Sequence, residues 1–402
     1  MKFVEKLKKA RAALEKNGLD GWLLYDFAGS NSLAREFLEI DPGAHITRRF
    51  FYWIPHKGDP VKVVHRLEPG MLDHLPGEKK VLYSRYTELE SQLQELLEHA
   101  KKIAMEYSPC CEIPAVSKVD GGTIELIRKS AHGIHIFSSG PFLQEFTCIL
   151  SKEQLQLHFE AAAFLEDLVE QAWQFIETSI SHHTQRVTEY DVQEFIFNKM
   201  TEGGYVTDGR PICAVGPNAA DPHYEPTRER CSQIEKGHLV MIDLWAKKNV
   251  PGAVYGDMTR MGFAGNRDHL PEKMRLVFET VKNAQESALQ FVMDKFEKGD
   301  EVRGCDVDEV AREVIETAGF GEYFIHRTGH NLYTTTHGPG AHLDSFETRD
   351  TRPLIPETAF TIEPGIYIPG EFGVRLEYDL YISAHGAISV QCGKQSDLRF
   401  LL

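Results

Sequence analysis

Long apolar runs are missing from this sequence. No stretch approaches the roughly 20 apolar residues of a membrane-spanning helix, so a membrane partner is not expected. Cysteine is also scarce. Apart from Cys110 and Cys111 the seven cysteines are scattered, without a CxxC pair, which argues against a disulfide framework. Residues 1–18 are charged and lack the apolar segment of a secretory signal. These absences predict a cytoplasmic protein.

The chain also lacks an excess of basic residues. It carries 44 Lys and Arg against 60 Asp and Glu, which gives a net charge of −16. Nucleic-acid binding needs a basic surface, so nucleic acid is excluded as the expected partner. At 402 residues and 42% hydrophobic content, the chain is long enough for two soluble globular domains.

Helical and strand patterns alternate in the first part of the chain and predict an α/β domain over residues 1–152. An amphipathic helix over residues 3–17 ends at Gly18. The spacing of leucines and alanines predicts another helix over residues 88–107. Short runs rich in β-branched and aromatic residues predict strands over 21–27, 48–55, 60–67, 79–86 and 132–140.

The pattern changes near Ser151, and residues 153–402 are predicted to form a second, α+β domain. It opens with one long helical run. A second helix begins after Thr188, where TEYD resembles a capping box. Apolar faces with a starting Pro or a terminal Gly predict helices over 271–296 and 306–319. Strand pairs lie between and after these helices.

Two predicted β-hairpins carry carboxylates at the same spacing. Asp243 and Asp257 are fourteen residues apart, and their midpoint, Val250, lies in a turn beside a Pro-Gly pair. Glu363 and Glu377 are also fourteen residues apart around a Pro-Gly turn. In antiparallel hairpins folded at these midpoints, the two acids of each pair would lie opposite each other on one face.

Acids placed side by side on apolar strands require positive charge nearby. One alternative is an ion pair in each hairpin, since Arg260 and Arg375 are close in sequence. The other is that the four carboxylates converge on cations, together with a histidine from FIHRTGHNLYTTTHGPGAH, residues 324–342. The matched spacing and this histidine-rich segment favour cations. Oxygen ligands with one imidazole suit two divalent ions such as Mn²⁺, Co²⁺ or Zn²⁺.

The order of these features, D…D…GH…H…IEPGIY…GVRLE, resembles the M24 metallopeptidases, which include Xaa-Pro aminopeptidase, prolidase and methionine aminopeptidase. The resemblance extends from about Ser151 to the C-terminus and implies a catalytic domain with the pita-bread fold. Residues 1–152 resemble the creatinase-type N-terminal domain of the Xaa-Pro enzymes. The resemblance also implies two divalent metal ions, Mn²⁺ first among them, proline-containing peptides as substrates, and a homodimer.

The resemblance implies roles for individual residues. The residues that match the metal ligands are Asp243, Asp257, His330, Glu363 and Glu377. Those that match catalytic positions are His223, His337, Glu363 and Arg375. Among them, Glu363 would accept the proton of the attacking water, and His337 would stabilise the developing oxyanion.

The substrate side of the site departs from the family pattern. His326 matches a position of the Xaa-Pro branch and is predicted either to contact the substrate or to form local hydrogen bonds. Tyr333 and Asn331 stand where the family often has glycines, because this chain has GHNLY in place of GHGIG. We therefore predict that Tyr333 contacts the substrate and reshapes the pocket for its first residue, unless it simply packs.

The function that the resemblance implies is hydrolysis of the bond between an N-terminal residue and proline, through a metal-bridging hydroxide. The sequence leaves open whether the substrate is a dipeptide or a longer peptide. A creatinase-like C–N hydrolase and a non-catalytic binding protein of the same fold are the alternatives. The presence of all five ligand residues argues against both.

Overall fold

The computed structural model describes residues 2–41, 43–181 and 186–402. The chain divides into two compact units, Met1–Thr147 and Cys148–Leu402. Each unit buries its own apolar clusters, which is the core that an independent domain requires. Among the described residues, no helix combines the length and the apolar character needed to cross a membrane.

The first unit is built around a mixed sheet, which confirms the α/β prediction. Its strands are β1 (Gly21–Asp26), β2 (Phe50–Pro55), β3 (Val61–His65), β4 (Lys80–Tyr83), β5 (Lys102–Met105) and β6 (His135–Ser138). Its helices are α1 (Phe3–Lys16), α2 (Ser32–Phe37), α3 (Tyr86–Leu97), α4 (Gly121–Ser130) and α5 (Gly140–Thr147). The strand order is β4-β3-β2-β1-β5-β6. Trp22 and Leu24 of β1 enter one apolar cluster while Leu23 and Tyr25 enter another, so the sheet is covered on both faces.

The helix predicted over residues 88–107 is wrong in its second half. Helix α3 ends at Leu97, and the apolar run that follows forms the buried strand β5. Periodicity cannot separate a short apolar run in a helix from a fully buried strand, and pairing with β1 and β6 decides the outcome. Helix α4 is absent from the sequence prediction, although Asp120 caps it by accepting a hydrogen bond from the amide of Thr123.

The second unit combines long helices with antiparallel strands, which confirms the α+β prediction. Its helices are α6 (Lys152–Ser181), α7 (Glu189–Glu202), α8 (Glu272–Lys298) and α9 (Gly304–Thr317). Its strands are β7 (Tyr205–Val206), β8 (Ile212–Val215), β9 (Leu239–Lys248), β10 (Gly256–Phe263), β11 (Asn331–Leu332), β12 (Ala359–Ile362), β13 (Gly365–Ile368), β14 (Phe372–Arg375), β15 (Tyr378–Ile382), β16 (Ile388–Gln391) and β17 (Arg399–Phe400). Thr188 caps α7 through the predicted box with Asp191.

Three groups of strands carry the candidate site. One sheet has the order β17-β10-β9-β7, with β8 also paired to β9. A second has the order β11-β12-β15-β16, and β13 pairs with β14 as a separate ribbon. Helices α8 and α9 support these strands, because Val277, Ala284 and Ala311 share a buried cluster with Phe360 and Val374. This apolar support holds the strand ends that carry the predicted ligands.

The first carboxylate hairpin differs from its predicted register by two residues. Asp243 is paired with Thr259, and Asp257 is paired with Trp245. The two acids are therefore diagonal neighbours rather than directly opposite, because the hairpin does not fold at Val250. A shift of two residues keeps every side chain on its original face, so both acids still lie on the same side of the ribbon.

The second carboxylate hairpin keeps its predicted register but is split between two sheets. Ile362 pairs with Tyr378 in one sheet, and Gly365 pairs with Arg375 in the ribbon. Glu363 and Glu377 fall between these pairs, at facing positions where the ladder is interrupted. Their side chains therefore lie where the two strands diverge, outside the regular ladder of either sheet.

Candidate metal centre

The five predicted ligands converge on one cleft of the second unit. Asp243 lies on β9, Asp257 on β10, His330 directly before β11, Glu363 directly after β12 and Glu377 directly before β15. All five line a cavity of about 820 Å³. Four of them are buried, and Glu363 is partly exposed. The same cavity is lined by the other predicted residues His223, His326, His337 and Arg375.

Three of the five ligands form the tightest group. Asp257, His330 and Glu377 each offer one ligand atom, and these atoms lie within 4.8 Å of one another. Burial, followed by the neighbouring carboxylate of Glu377, raises the pKa of Asp257 well above its usual range. Burial and the carboxylates of Glu363 and Asp243 likewise raise the pKa of Glu377. Acids in such surroundings need a cation to be ionised together near neutral pH.

His330 presents a ring nitrogen to these acids. Burial lowers the pKa of His330 well below its usual value, so the ring is neutral. Its Nδ1 lies 3.4 Å from the carbonyl oxygen of Asn331, which can only accept, so we assign the ring proton to Nδ1. The lone pair of Nε2 then faces Glu363 Oε1 at 3.2 Å and Asp257 Oδ2 at 3.8 Å. A nitrogen lone pair that faces carboxylate oxygens is favourable only when a cation or a proton lies between them.

Glu363 has the properties of a proton acceptor. The hydroxyl of Thr361 donates to its Oε1 at 3.0 Å. Burial raises the pKa of Glu363 to about 7, although the charge of Arg375 opposes this effect. A carboxyl group with a pKa near neutrality can both take up and release a proton at physiological pH.

Asp243 has an arginine partner, but it comes from the other hairpin rather than from its own. Arg375 Nη2 donates to Asp243 Oδ2 at 2.5 Å. The same guanidinium donates through Nε to Thr259 Oγ1 at 3.0 Å and through Nη1 to the Tyr367 hydroxyl at 2.8 Å. Arg375 is buried and each of its nitrogens has a partner, so it orients Asp243 within the cleft.

The ion-pair alternative is wrong for Arg260. Its guanidinium donates to four backbone carbonyl oxygens, including that of Glu377, and to no carboxylate in the described parts of the chain. Glu377 Oε2 accepts from the neutral hydroxyl of Thr259 at 2.7 Å. Within residues 2–41, 43–181 and 186–402, neither Asp257 nor Glu377 has a lysine or arginine partner. The cluster therefore fits divalent cations, whose charge would let these acids ionise together.

His326 lines the cleft, and both of its ring nitrogens are engaged in local hydrogen bonds. Its Nδ1 lies 2.7 Å from the carbonyl oxygen of Arg327, and its Nε2 lies 2.7 Å from the Tyr367 hydroxyl. The Tyr367 hydroxyl thus accepts from Arg375 and donates to His326. Sequence reasoning missed Tyr367, although it belongs to the quoted IEPGIY motif and its position there was a usable signal.

His337 and His223 lie at the exposed rim of the cleft. The ring centroid of His337 is 4.3 Å from that of His330. The segment that carries His223 is held by the buried carboxylate of Glu189, which accepts from the Tyr224 hydroxyl at 2.6 Å and from the Ser232 amide at 2.6 Å. Glu189 was missed by sequence reasoning because its partners lie far along the chain.

For Tyr333, the structure favours the alternative that the side chain packs. Tyr333 is not among the residues that line the cleft. It packs against an apolar cluster that includes Leu332 and Val254. Asn331 is not among the residues that line the cleft either. Its side chain is buried, donates to Ala359 O at 2.8 Å and accepts from the amide of Gly340 at 2.9 Å, so it braces the loop.

A second buried network lies behind the cleft. Asp379 Oδ2 accepts from the Asp257 amide at 3.1 Å, and Cys392 Sγ lies 3.4 Å from it. His158 Nε2 lies 4.0 Å from the same carboxylate, and His158 Nδ1 lies 2.7 Å from the carbonyl oxygen of Tyr255. His158 and Asp379 are both fully buried. No sequence motif marks them, because their contact joins helix α6 to strand β15 across most of the unit.

Acid is expected to destabilise the protein partly through His158. Burial lowers the pKa of His158 from 6.5 to about 4, so the unfolded chain takes up this proton at a higher pH than the folded chain. The stability that neutral His158 contributes is present above pH 6.5 and is lost as the pH falls through about 4. The difference between the pKa values of His158 in the unfolded and folded chains corresponds to about 3 kcal/mol in the free energy of unfolding.

Urea unfolding at about pH 7 and about pH 4.5 measures this effect. His158→Gln should lose less stability between these two conditions than the unmodified protein does. His385→Gln, at an exposed histidine of the same unit, serves as the control and should keep the original pH dependence. If the free energy of unfolding fell equally with pH in the unmodified protein and in His158→Gln, this histidine would not be the titrating group.

Comparisons with known proteins show the family to which the chain belongs. The profile of Metallopeptidase family M24 matches residues 156–384, more than half of the chain. The Xaa-Pro dipeptidase of Lactobacillus delbrueckii subsp. lactis is 33% identical over 185 residues, which is 44% of this chain and 44% of that protein. The chain spans about half the length of the curated relatives it matches.

Solved structures resemble the chain along its whole length. Recombinant prolidase from Thermococcus sibiricus has a TM-score of 0.63 at 26% identity, covering 100% of this chain and 99% of that chain. Dipeptidase PepE from Mycobacterium ulcerans has a TM-score of 0.69 at 22% identity, covering 99% of this chain and 98% of that chain, which supports the fold alone. These likenesses confirm the predicted pita-bread fold. By its family profile, its fold and its ligand order, the chain belongs to metallopeptidase family M24.

Proposed function

We propose that the chain is a metal-dependent peptidase that cleaves the bond between an N-terminal residue and proline. The observation that carries this proposal is the buried group of Asp257, His330 and Glu377, whose ligand atoms lie within 4.8 Å of one another. The names of the relatives, Xaa-Pro dipeptidase and prolidase, support proline-containing peptides as substrates. Mn²⁺ is the proposed ion, with Co²⁺ and Zn²⁺ as alternatives, since carboxylates with one imidazole suit all three.

Two divalent ions would be held by Asp243, Asp257, His330, Glu363 and Glu377. When bound, such a pair supplies the charge that lowers the pKa of a water molecule and polarises a carbonyl oxygen. Glu363 is the proposed general base, because its carboxylate lies within the ligand group, 3.2 Å from His330 Nε2, where it could take a proton from water and pass it to the leaving nitrogen.

Histidines at the rim complete the proposed site. His337, beside the ring of His330, would donate a hydrogen bond to the oxyanion that develops on the cleaved carbonyl. His223, which lines the same cavity, would contact the substrate. Arg375 is a positioning residue in this scheme, since its nitrogens are already engaged with Asp243, Thr259 and Tyr367. His326 positions Tyr367 in the same way.

The first unit is proposed to be a creatinase-type N-terminal domain, with the boundary of the second domain near residue 153. Support comes from the Thermococcus sibiricus prolidase, whose likeness covers 100% of this chain. We further propose a cytoplasmic homodimer, following the resemblance and the composition of the chain.

The function is tested with metal-stripped protein to which Mn²⁺ is returned. We expect hydrolysis of Xaa-Pro substrates only after the ion is added, with Xaa-Ala cleaved at least about ten times more slowly. Comparing Xaa-Pro with Xaa-Pro-Yaa decides between a dipeptidase and an aminopeptidase.

The same experiment separates the alternative functions. Hydrolysis of creatine-like substrates without added metal would favour a creatinase-like enzyme. Tight Mn²⁺ binding with no hydrolysis of any peptide would favour a non-catalytic binding protein. Either result would overturn the proposed peptidase activity.

A further inference from the structure

We propose that Asp208 binds a positively charged side chain on the first residue of the substrate, so that the enzyme prefers lysine or arginine before proline. This inference rests on the proposed function and adds a preference that the names of the relatives do not state. Asp208 lines the same cavity as the metal-ligand group. Asp208 lies outside the sequence motifs described above.

The carboxylate of Asp208 is held in place by neutral donors. The indole Nε1–H of Trp245 donates to Asp208 Oδ1 at 2.7 Å. The Thr336 hydroxyl lies 2.9 Å from Oδ1 and 3.0 Å from Oδ2. Trp245 belongs to β9, and Thr336 belongs to the segment that carries His337. Two donors from separate segments fix the position of the carboxylate without cancelling its charge.

Nearby basic side chains are engaged elsewhere. Arg210 pairs with Glu194. Lys247 Nζ donates to the carbonyl oxygen of Thr334 at 2.6 Å. In the part of the chain that the structure describes, no lysine, arginine or histidine forms an ion pair with Asp208. Its negative charge is therefore available to a cation that enters the cleft.

The indole ring of Trp245 lies beside the Asp208 carboxylate. Trp245 is paired with the metal-ligand residue Asp257 on the neighbouring strand, so the ring is one strand away from the metal-ligand group. A Cβ on Gly209 would lie 2.6 Å from Trp245 Cζ2, and glycine is therefore required for the indole to lie against the backbone. The ring is fixed by this contact and by its hydrogen bond. An aromatic face next to a carboxylate suits the alkyl stem and the charged head of lysine or arginine.

The α-ammonium group of the substrate is the other cation that could reach Asp208. It is separated by only two bonds from the carbonyl carbon that is attacked. It must therefore stay close to the metal-ligand carboxylates when that carbon is in position. Asp208 and Trp245 line the same cavity as the metal-ligand residues without belonging to the ligand group. We therefore assign Asp208 to the side chain of the first residue.

The test compares two dipeptides on the full-length, Mn²⁺-loaded protein. Lys-Pro and norleucine-Pro share a four-carbon stem and differ in the terminal ammonium group. We expect kcat/KM to favour Lys-Pro by about ten-fold, as a partly exposed ion pair combined with a cation–π contact would provide. Asp208→Asn should lower this ratio towards one. Asp268→Asn, an exposed acid outside the cleft lining, should keep it.

Two outcomes would overturn the proposal. One is an unmodified protein with no preference for Lys-Pro. The other is an Asp208→Asn variant that loses the same factor with both peptides, which would place the α-ammonium at Asp208. Calorimetric binding of both peptides separates this failure from that of the proposed function. If neither peptide is cleaved but Lys-Pro binds more tightly in an Asp208-dependent manner, the peptidase proposal fails while the subsite stands.

Discussion

Replacement of Glu377 by glutamine is expected to stabilise the metal-free protein and to abolish its peptidase activity. Burial and the neighbouring acids Glu363 and Asp243 raise the pKa of Glu377, so its ionised form is unfavourable without a cation. Glutamine can still accept the hydrogen bond from Thr259 but carries no charge. We expect the melting temperature of the metal-free protein to rise by about 2–4 °C. Activity with Mn²⁺ should fall by about a thousand-fold or more.

Thermal unfolding with and without Mn²⁺ tests this prediction directly. An ion that binds only the folded protein raises its melting temperature, and the unmodified protein should show this rise. Glu377→Gln should show little or none. Glu229→Gln, at an exposed position outside the cleft, is the matched control and should respond like the unmodified protein. If Glu377→Gln kept both the Mn²⁺ response and the activity, the metal-centre interpretation would be wrong.

Replacement of Arg375 by methionine is expected to be the most destabilising change in the cleft. Arg375 is buried and donates to Asp243, Thr259 and Tyr367. Methionine fills similar space but leaves the Asp243 carboxylate buried without its cation. Breaking a buried ion pair in this way costs about 3–5 kcal/mol. Urea unfolding of the metal-free protein measures this loss.

A second substitution separates the loss of the ion pair from the loss of packing. Asp243→Asn removes the unpaired charge, so the double variant Arg375→Met with Asp243→Asn should recover a large part of the lost stability. Arg260→Met is the matched control, because Arg260 is also buried but donates to backbone carbonyl oxygens. Asp243→Asn should not rescue it. Strictly additive effects of the Arg375 and Asp243 substitutions would contradict the assignment.

Much of the fold could be predicted where the signal is local. The box of Thr188 and Asp191 marks the start of α7, because both hydrogen-bonding partners lie within one helical turn. The strand β5 could not be predicted in the same way. Its apolar residues fit a helix equally well, and only pairing with β1 and β6 makes a strand the better solution.

In the candidate site too, some residues have a local sequence signal and others depend on long-range contacts. Asp243, Asp257, Glu363 and Glu377 could be proposed because two hairpins repeat one carboxylate spacing. Asp208 could not, because Trp245 lies 37 residues and Thr336 lies 128 residues away from it in sequence. Contacts over such distances depend on how strands and loops are brought together, and no local pattern records them.

Strand alternation, which is a property of the sequence alone, determined that Asp243 and Asp257 share one face of their ribbon. That result survives the observed two-residue shift, because side chains alternate with a period of two. Tertiary structure alone decided which acid is paired with an arginine. Arg375 reaches Asp243 across 132 residues of sequence, whereas Asp257 is left to face His330 and Glu377. The distance between side chains of separate ribbons follows from how those ribbons pack, and packing is set by the whole domain.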